Sequence, residues 1–135
     1  MTMSTPAIAY VALVTLASLA VYIWTFSKVG QMRGKHKIAA PAMTGHPEFE
    51  RAVRVQANTL EQLVPFLVAL WLAALYLHPL GAALIGLVWV IGRVMYALAY
   101  WQDAAKRGRG FTLSSIATVL LLLGALVGIV LALVR

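Results

Sequence analysis

Residues 63 to 92 read LVPFLVALWLAALYLHPLGAALIGLVWVIG, thirty residues without a formal charge when His78 is taken as neutral. The step His78-Pro79-Leu80-Gly81 divides them, because proline has no N–H to donate and ends the helix before it. Two apolar pieces remain, Leu63 to Leu77 and Leu80 to Gly92. At 1.5 Å per residue they reach only about 22 and about 20 Å. The hydrocarbon layer of a bilayer is roughly 30 Å thick. Each piece must therefore recruit polar residues at its far end, Asn58 to Gln62 for the first and Arg93 to about Ala99 for the second. The tight turn at Pro79 predicts an antiparallel hairpin whose polar ends lie at one depth.

The flanks agree with a membrane reading. Met1 to Ser27 carries no charge, and neither does Phe111 to Val134. A cleaved secretory leader would have basic residues ahead of its apolar stretch, and none precedes Lys28. Over all 135 residues, 62% are hydrophobic and only 11% charged, and the mean hydropathy is +0.88. A soluble domain of this size could not bury so much apolar surface. The expected fold is all-α and integral to the membrane, a four-helix transmembrane bundle forming one domain over 1–135. Its spans are placed at about 5–27, 48–78, 80–106 and 111–134. The absence of cysteine excludes disulfides and thiolate-ligated metal.

The net charge of +7 reads as orientation rather than as nucleic-acid binding. Lys28, Arg33, Lys35, Lys37, Arg51 and Arg54 surround the first connection, and Lys106, Arg107 and Arg109 occupy the third. The second connection has no Lys or Arg. Positive loops stay cytoplasmic, so both termini are expected outside. A bacterial inner membrane and an endoplasmic reticulum membrane both fit this topology, and the short loops lean toward the bacterial one.

The polar ends of the hairpin form stripes. Arg54, Asn58 and Glu61 follow one another at i, i+4 and i+7, on one helix face. Arg93, Tyr96, Tyr100 and Arg107 do nearly the same on the next helix. Charges at membrane depth must face protein or a watery cavity, which makes them functional candidates. Two readings compete. Arg54, Glu61 and Arg93 could simply pair and lock the bundle. Yet Arg33, Arg54 and Arg93 against a single Glu61 leave surplus guanidinium, which suits a ligand bearing more than one carboxylate or phosphate. Glu61 suggests an amine on the same ligand.

Other residues read plainly. His36 and His46 lie in a polar loop and His78 at the outer turn, and three histidines without HExxH spacing do not make a metal site. Trp24, Trp71, Trp89 and Trp101 fit lipid-facing or interfacial positions. Gly81, Gly86, Gly92, Gly124 and Gly128 suit close helix approach.

Two segments carry a resemblance. Glu48 to Gln62, EFERAVRVQANTLEQ, and Gly92 to Phe111, GRVMYALAYWQDAAKRGRGF, together resemble the MAPEG family of membrane-associated proteins in eicosanoid and glutathione metabolism. The likeness is closest to its glutathione-conjugating branch and runs through nearly the whole chain. It implies a homotrimer with glutathione sites between protomers near the cytoplasmic surface. Carried over by position, it implies glutathione contacts at Arg33, Arg54, Gln56, Asn58, Glu61, Arg93, Tyr96 and Tyr100. Arg107 falls where the branch has the arginine that activates the thiol. Read from the residues alone, Lys106 and Arg109 compete for that role. Gln62 stands where the leukotriene-making members have tyrosine, and Gly34 replaces a second arginine. These departures favour a general detoxifying transferase over a dedicated leukotriene synthase.

The implied function is transfer of glutathione, a co-substrate, to apolar electrophiles arriving through membrane lipid, with reduction of lipid hydroperoxides as a second, peroxidase activity. No metal is implied. A non-catalytic lipid-binding scaffold of the same family is the alternative. A small multidrug exporter subunit ranks lower, because the first span lacks the acidic residue such a pump needs.

Overall fold

The computed structural model describes residues 5–135. Met1 to Ser4, the opening of the first uncharged stretch, lie outside the described residues. Four helices follow in order: α1 Thr5–His36, α2 Pro47–Tyr76, α3 Pro79–Gln102 and α4 Gly108–Val134. A single 3-10 turn, Ala104–Lys106, joins α3 to α4. All four helices are long and apolar enough to cross a membrane. Their outward surface is apolar (Leu13, Leu16, Val64, Leu84 and Leu126 are all exposed), as a lipid solvent requires.

α2 and α3 are central. Each packs against the other and against both α1 and α4, which lie at the edges. The core is built from small residues and a few large rings. Trp89 is fully buried and stacks on Phe66 with ring centroids 4.0 Å apart. It is therefore not the lipid-facing tryptophan that its hydrophobic setting suggested. Trp71 donates to the Thr15 hydroxyl at 3.0 Å, and Trp24 meets Trp101 edge-on at 4.7 Å.

α2 runs unbroken through Asn58 to Gln62, and also through Pro65, while α3 runs unbroken through Arg93 to Ala99. The apolar pieces are thus lengthened by polar turns at their far ends. The hairpin turn is sharper than a helix break alone would make it. His78 caps α3, its Nδ1 accepting from the Gly81 N–H at 2.9 Å, with Pro79 in the first turn. The same device opens α2. His46 Nδ1 accepts from the Glu48 N–H at 3.1 Å, and Pro47 follows it. Proline is pre-shaped for that first position, where a missing N–H costs nothing.

α1 continues past Ser27 as far as His36, so Arg33 and His36 belong to a helix and not to a loop. Helix formation goes on because the segment after Ser27 has no proline until Pro41. α3 and α4 cross closely at two glycines. A Cβ on Gly110 would lie 2.3 Å from the Tyr96 backbone nitrogen, and one on Gly92 would lie 2.8 Å from that of Ser114. This contact brings the end of α3 and the start of α4 together.

Candidate functional site

Arg93 is the pivot. Its side chain is fully buried between α2 and α3. Nη2 donates to Asn58 Oδ1 at 3.1 Å and to Thr59 Oγ1 at 2.8 Å. The guanidinium lies 4.0 Å from the centre of the Tyr96 ring. Its Nε and Nη1 meet no acceptor among the described residues. Thr59 in turn donates to the Val55 carbonyl at 2.7 Å. A guanidinium cannot give up its charge as a lysine can. It needs acceptors and a polarisable face wherever it is buried, and Asn58, Thr59 and Tyr96 supply them.

Around this pivot a hollow of about 600 Å³ opens, lined by Arg54, Asn58, Tyr96, Tyr100, Arg107 and Phe111, with Ala105 and Gly108 at the turn. Tyr96 and Tyr100 meet edge to face with centroids 5.5 Å apart. Arg107 stands at the mouth. Its Nη1 donates to the Ala104 carbonyl at 2.6 Å, and its guanidinium lies 5.8 Å from the centre of the Tyr100 ring. Arg54 is exposed. A smaller hollow of about 380 Å³ adjoins through Arg54 and Tyr100, and Glu50, Arg51 and Asp103 line it.

Five of the candidate residues are thus brought together: Arg54, Asn58, Tyr96, Tyr100 and Arg107. Arg93 stands behind them and touches the hollow only through Asn58 and Tyr96. The other three lie elsewhere on the chain. Arg33 donates to the Ala42 carbonyl at 2.8 Å and lies over the Phe49 ring at 4.9 Å. Gln56 donates to the Tyr22 hydroxyl at 3.3 Å, facing α1. Glu61 is exposed on the outer face of α2. Arg109 does not line this hollow either, and Lys106 turns away with it.

The charge surplus stands. Among the described residues, the ion pairs are Lys35 with Glu48 at 2.7 Å and His36 with Glu48 at 2.8 Å. Both lie at the start of α2, so no described arginine is tied to a carboxylate. Glu61 does not lock Arg54 or Arg93. The lining of the main hollow has two guanidiniums, two phenols and an amide, and no acid. Such a surface is complementary to an anion with flat or apolar parts. Among the described residues no group of three or more His, Asp or Glu is placed to hold a metal ion.

Thr59 is the residue that sequence spacing did not single out. A threonine one step from Asn58 in a helix reads as neutral filler. Only the crossing of α3 shows that its hydroxyl faces Arg93.

A model for the MAPEG family matches residues 11–127. An uncharacterised protein of Synechocystis sp. is 47% identical over 118 residues, covering 87% of this chain and 86% of that one. Human microsomal glutathione S-transferase 2 is 45% identical over 100 residues, covering 73% and 68%. Leukotriene C4 synthase of Cavia porcellus is 37% identical over 122 residues, covering 90% and 81%.

Proposed function

The chain belongs to the MAPEG family, and on that premise we propose that it is a membrane glutathione S-transferase which conjugates glutathione to apolar electrophiles. The observation that carries this reading is the acid-free hollow that joins Arg54, Asn58, Tyr96, Tyr100 and Arg107. Glutathione has two carboxylates, one ammonium and one thiol. Arg54 takes a carboxylate, Asn58 and the tyrosine hydroxyls supply further hydrogen bonds, and Arg107 faces the sulfur. Arg93 acts through Asn58, since its accepting Oδ1 fixes which end of the amide meets the ligand.

Arg33, Gln56 and Glu61 do not reach the hollow within one chain. Their separation supports a homotrimer in which a neighbouring protomer presents Arg33 and Gln56 to the hollow. Glu61, exposed on a helix of membrane length, then meets the glutathione ammonium at the protomer boundary. An unpaired carboxylate facing lipid would be costly. The basic ends of the bundle lie on the cytoplasmic side in this reading, where glutathione is drawn from water.

The chemistry requires thiolate. A free thiol titrates near 8.5, so only a few per cent is ionised at neutral pH. Lowering that value by about two units takes about 2.7 kcal/mol of preference for the anion. A guanidinium in a water-poor site supplies energy of that order. The role is assigned to Arg107 rather than Arg109, a choice supported by the lining of the acid-free hollow, which includes the first and not the second. The thiol proton leaves to water at the open mouth. With an aryl halide, the sulfur lone pair forms the new carbon–sulfur bond and halide departs. With an epoxide, the carbon–oxygen bond breaks and the alkoxide takes a proton from water. With a lipid hydroperoxide, sulfur attacks the terminal oxygen and the oxygen–oxygen bond breaks, leaving a sulfenic acid and an alkoxide that takes a proton from water to become the alcohol. A second glutathione condenses with that acid to give disulfide and water.

The test is direct. Purified protein mixed with glutathione develops the ultraviolet absorbance of a bound thiolate and turns over a chromogenic aryl halide. Arg107→Ala loses the thiolate band. Persistence of the band in that variant overturns the assignment of Arg107, and absence of both band and turnover in the wild type overturns the transferase reading.

A further inference from the structure

The 3-10 turn Ala104–Lys106 has a second side. Behind it lies a separate hollow of about 530 Å³, walled by Met95 and Ala99 of α3 and by Lys106, Arg109 and Gly110. It runs into an open groove of about 510 Å³ along α4, where Arg109, Thr112, Leu113 and Ile116 line it. Lys106 and Arg109 are both exposed, and neither is in an ion pair among the described residues. Asp103, the nearest carboxylate along the sequence, accepts the Ala105 N–H at 3.0 Å and lines the smaller hollow beside Arg54, not this one. The lining of both hollows contains no acid.

The arrangement is therefore two free cations above an apolar trough on a helix of membrane length. A water-soluble anion would use the cations and leave the trough empty. An uncharged lipophile would use the trough and leave the cations unmet. A phospholipid uses both at once, since its phosphate diester sits at the membrane surface and its acyl chain runs down the helices. The absence of a carboxylate leaves nothing to receive a choline or ethanolamine, which favours a headgroup with net negative charge. We propose that this rear hollow binds an anionic phospholipid, with its phosphate between Lys106 and Arg109 and an acyl chain against Met95, Leu113 and Ile116. The site is distinct from the glutathione hollow, with which it shares only Ala105 and Gly108 of the turn.

The experiment uses full-length protein in phosphatidylcholine nanodiscs with a trace of spin-labelled phosphatidylglycerol or spin-labelled phosphatidylcholine. The immobilised fraction of each label is read by electron paramagnetic resonance. Wild type immobilises the phosphatidylglycerol label preferentially. Lys106→Gln and Arg109→Gln each reduce that preference about fivefold, and the double variant abolishes it. Lys37→Gln removes one charge from the same end of the bundle, and Arg107→Ala removes one from the other side of the turn. Both keep the preference. Soluble glycerol phosphate at millimolar concentration does not displace the label. The proposal is overturned if the Lys106 and Arg109 variants keep the preference, if Lys37→Gln or Arg107→Ala costs as much as they do, or if glycerol phosphate displaces the label. Both single substitutions are of exposed side chains, so they decide the matter even where the double variant fails to fold.

Discussion

A fully buried guanidinium within a membrane-length helix carries a desolvation cost of several kcal/mol, and Arg93 is held there by an amide, a hydroxyl and a ring. Its partners therefore report its role. Thr59→Val removes one acceptor and leaves Asn58 less firmly oriented. The Michaelis constant for glutathione is expected to rise about fivefold with kcat nearly unchanged, and Thr59→Ser is expected to restore it. Steady-state kinetics with varied glutathione check this. An equal fall in kcat and kcat/KM would mean that the contact acts on the transition state instead. Arg107 predicts a pH signature. A nearby cation lowers a thiol pKa, so on the proposed assignment the wild type is expected to keep thiolate well below pH 8.5. Arg107→Ala is expected to lose about fiftyfold in rate at pH 6.5 and to recover toward wild type above pH 9, where glutathione ionises unaided. A pH–rate profile with an aryl halide distinguishes this from a general loss of fold, which pH would not repair.

At the scale of elements, two devices set the geometry of the hollow. One is the pair of His-Pro steps, which begin α2 and α3 with an imidazole cap and a proline in the first turn. The other is the crossing of Gly92 and Gly110, which lets the two backbones touch. Gly110→Ala is expected to lower stability by at least about 2 kcal/mol, because its Cβ meets backbone that cannot swing aside. Gly108→Ala, where a Cβ meets nothing within 4 Å, is expected to be tolerated. Thermal unfolding of both variants in detergent, side by side, checks the contrast. The step at Pro79 was visible in the sequence as a break, but neither imidazole cap was. Histidine is no favoured cap, and only the hydrogen bonds that Nδ1 of His46 and Nδ1 of His78 accept from the Glu48 and Gly81 N–H groups show that the rings turn back onto the helix. The sequence suits Gly124 and Gly128 to close helix approach, without naming the partner. Gly128 makes that approach on the backbone at Tyr76, closing α4 against the end of α2 in the same chain.

For the whole molecule, the separation of Arg33 and Gln56 from the hollow is the feature with the furthest reach. If a neighbouring protomer supplies them, inactive variants should complement one another. Arg33→Ala and Arg54→Ala, each crippled as a pure trimer, are expected to regain about a quarter of wild-type sites when co-expressed in equal amounts. Purified mixed trimers assayed with an aryl halide test this. No recovery would place both arginines in the same protomer's half of the site, against the proposed boundary.

The membrane class, the helix count and the polar extension of α2 and α3 were all legible in the sequence. They depend on hydropathy summed along the chain against a fixed hydrocarbon thickness, and that sum is local. The surplus of guanidinium over carboxylate was legible for the same reason, since charges can be counted without coordinates. What only the tertiary structure decided is which charges meet. Helical spacing put Arg54, Asn58 and Glu61 on one face, yet the angle at which α3 crosses α2 gave Asn58 to Arg93 and left Glu61 outside. Likewise, read from the residues alone and apart from the resemblance, Lys106, Arg107 and Arg109 were equal until the 3-10 turn sent Arg107 to one hollow and its neighbours to the other. Spacing along a helix fixes a direction relative to that helix alone, whereas a contact depends on the rotation and depth of the helix opposite, and packing sets both.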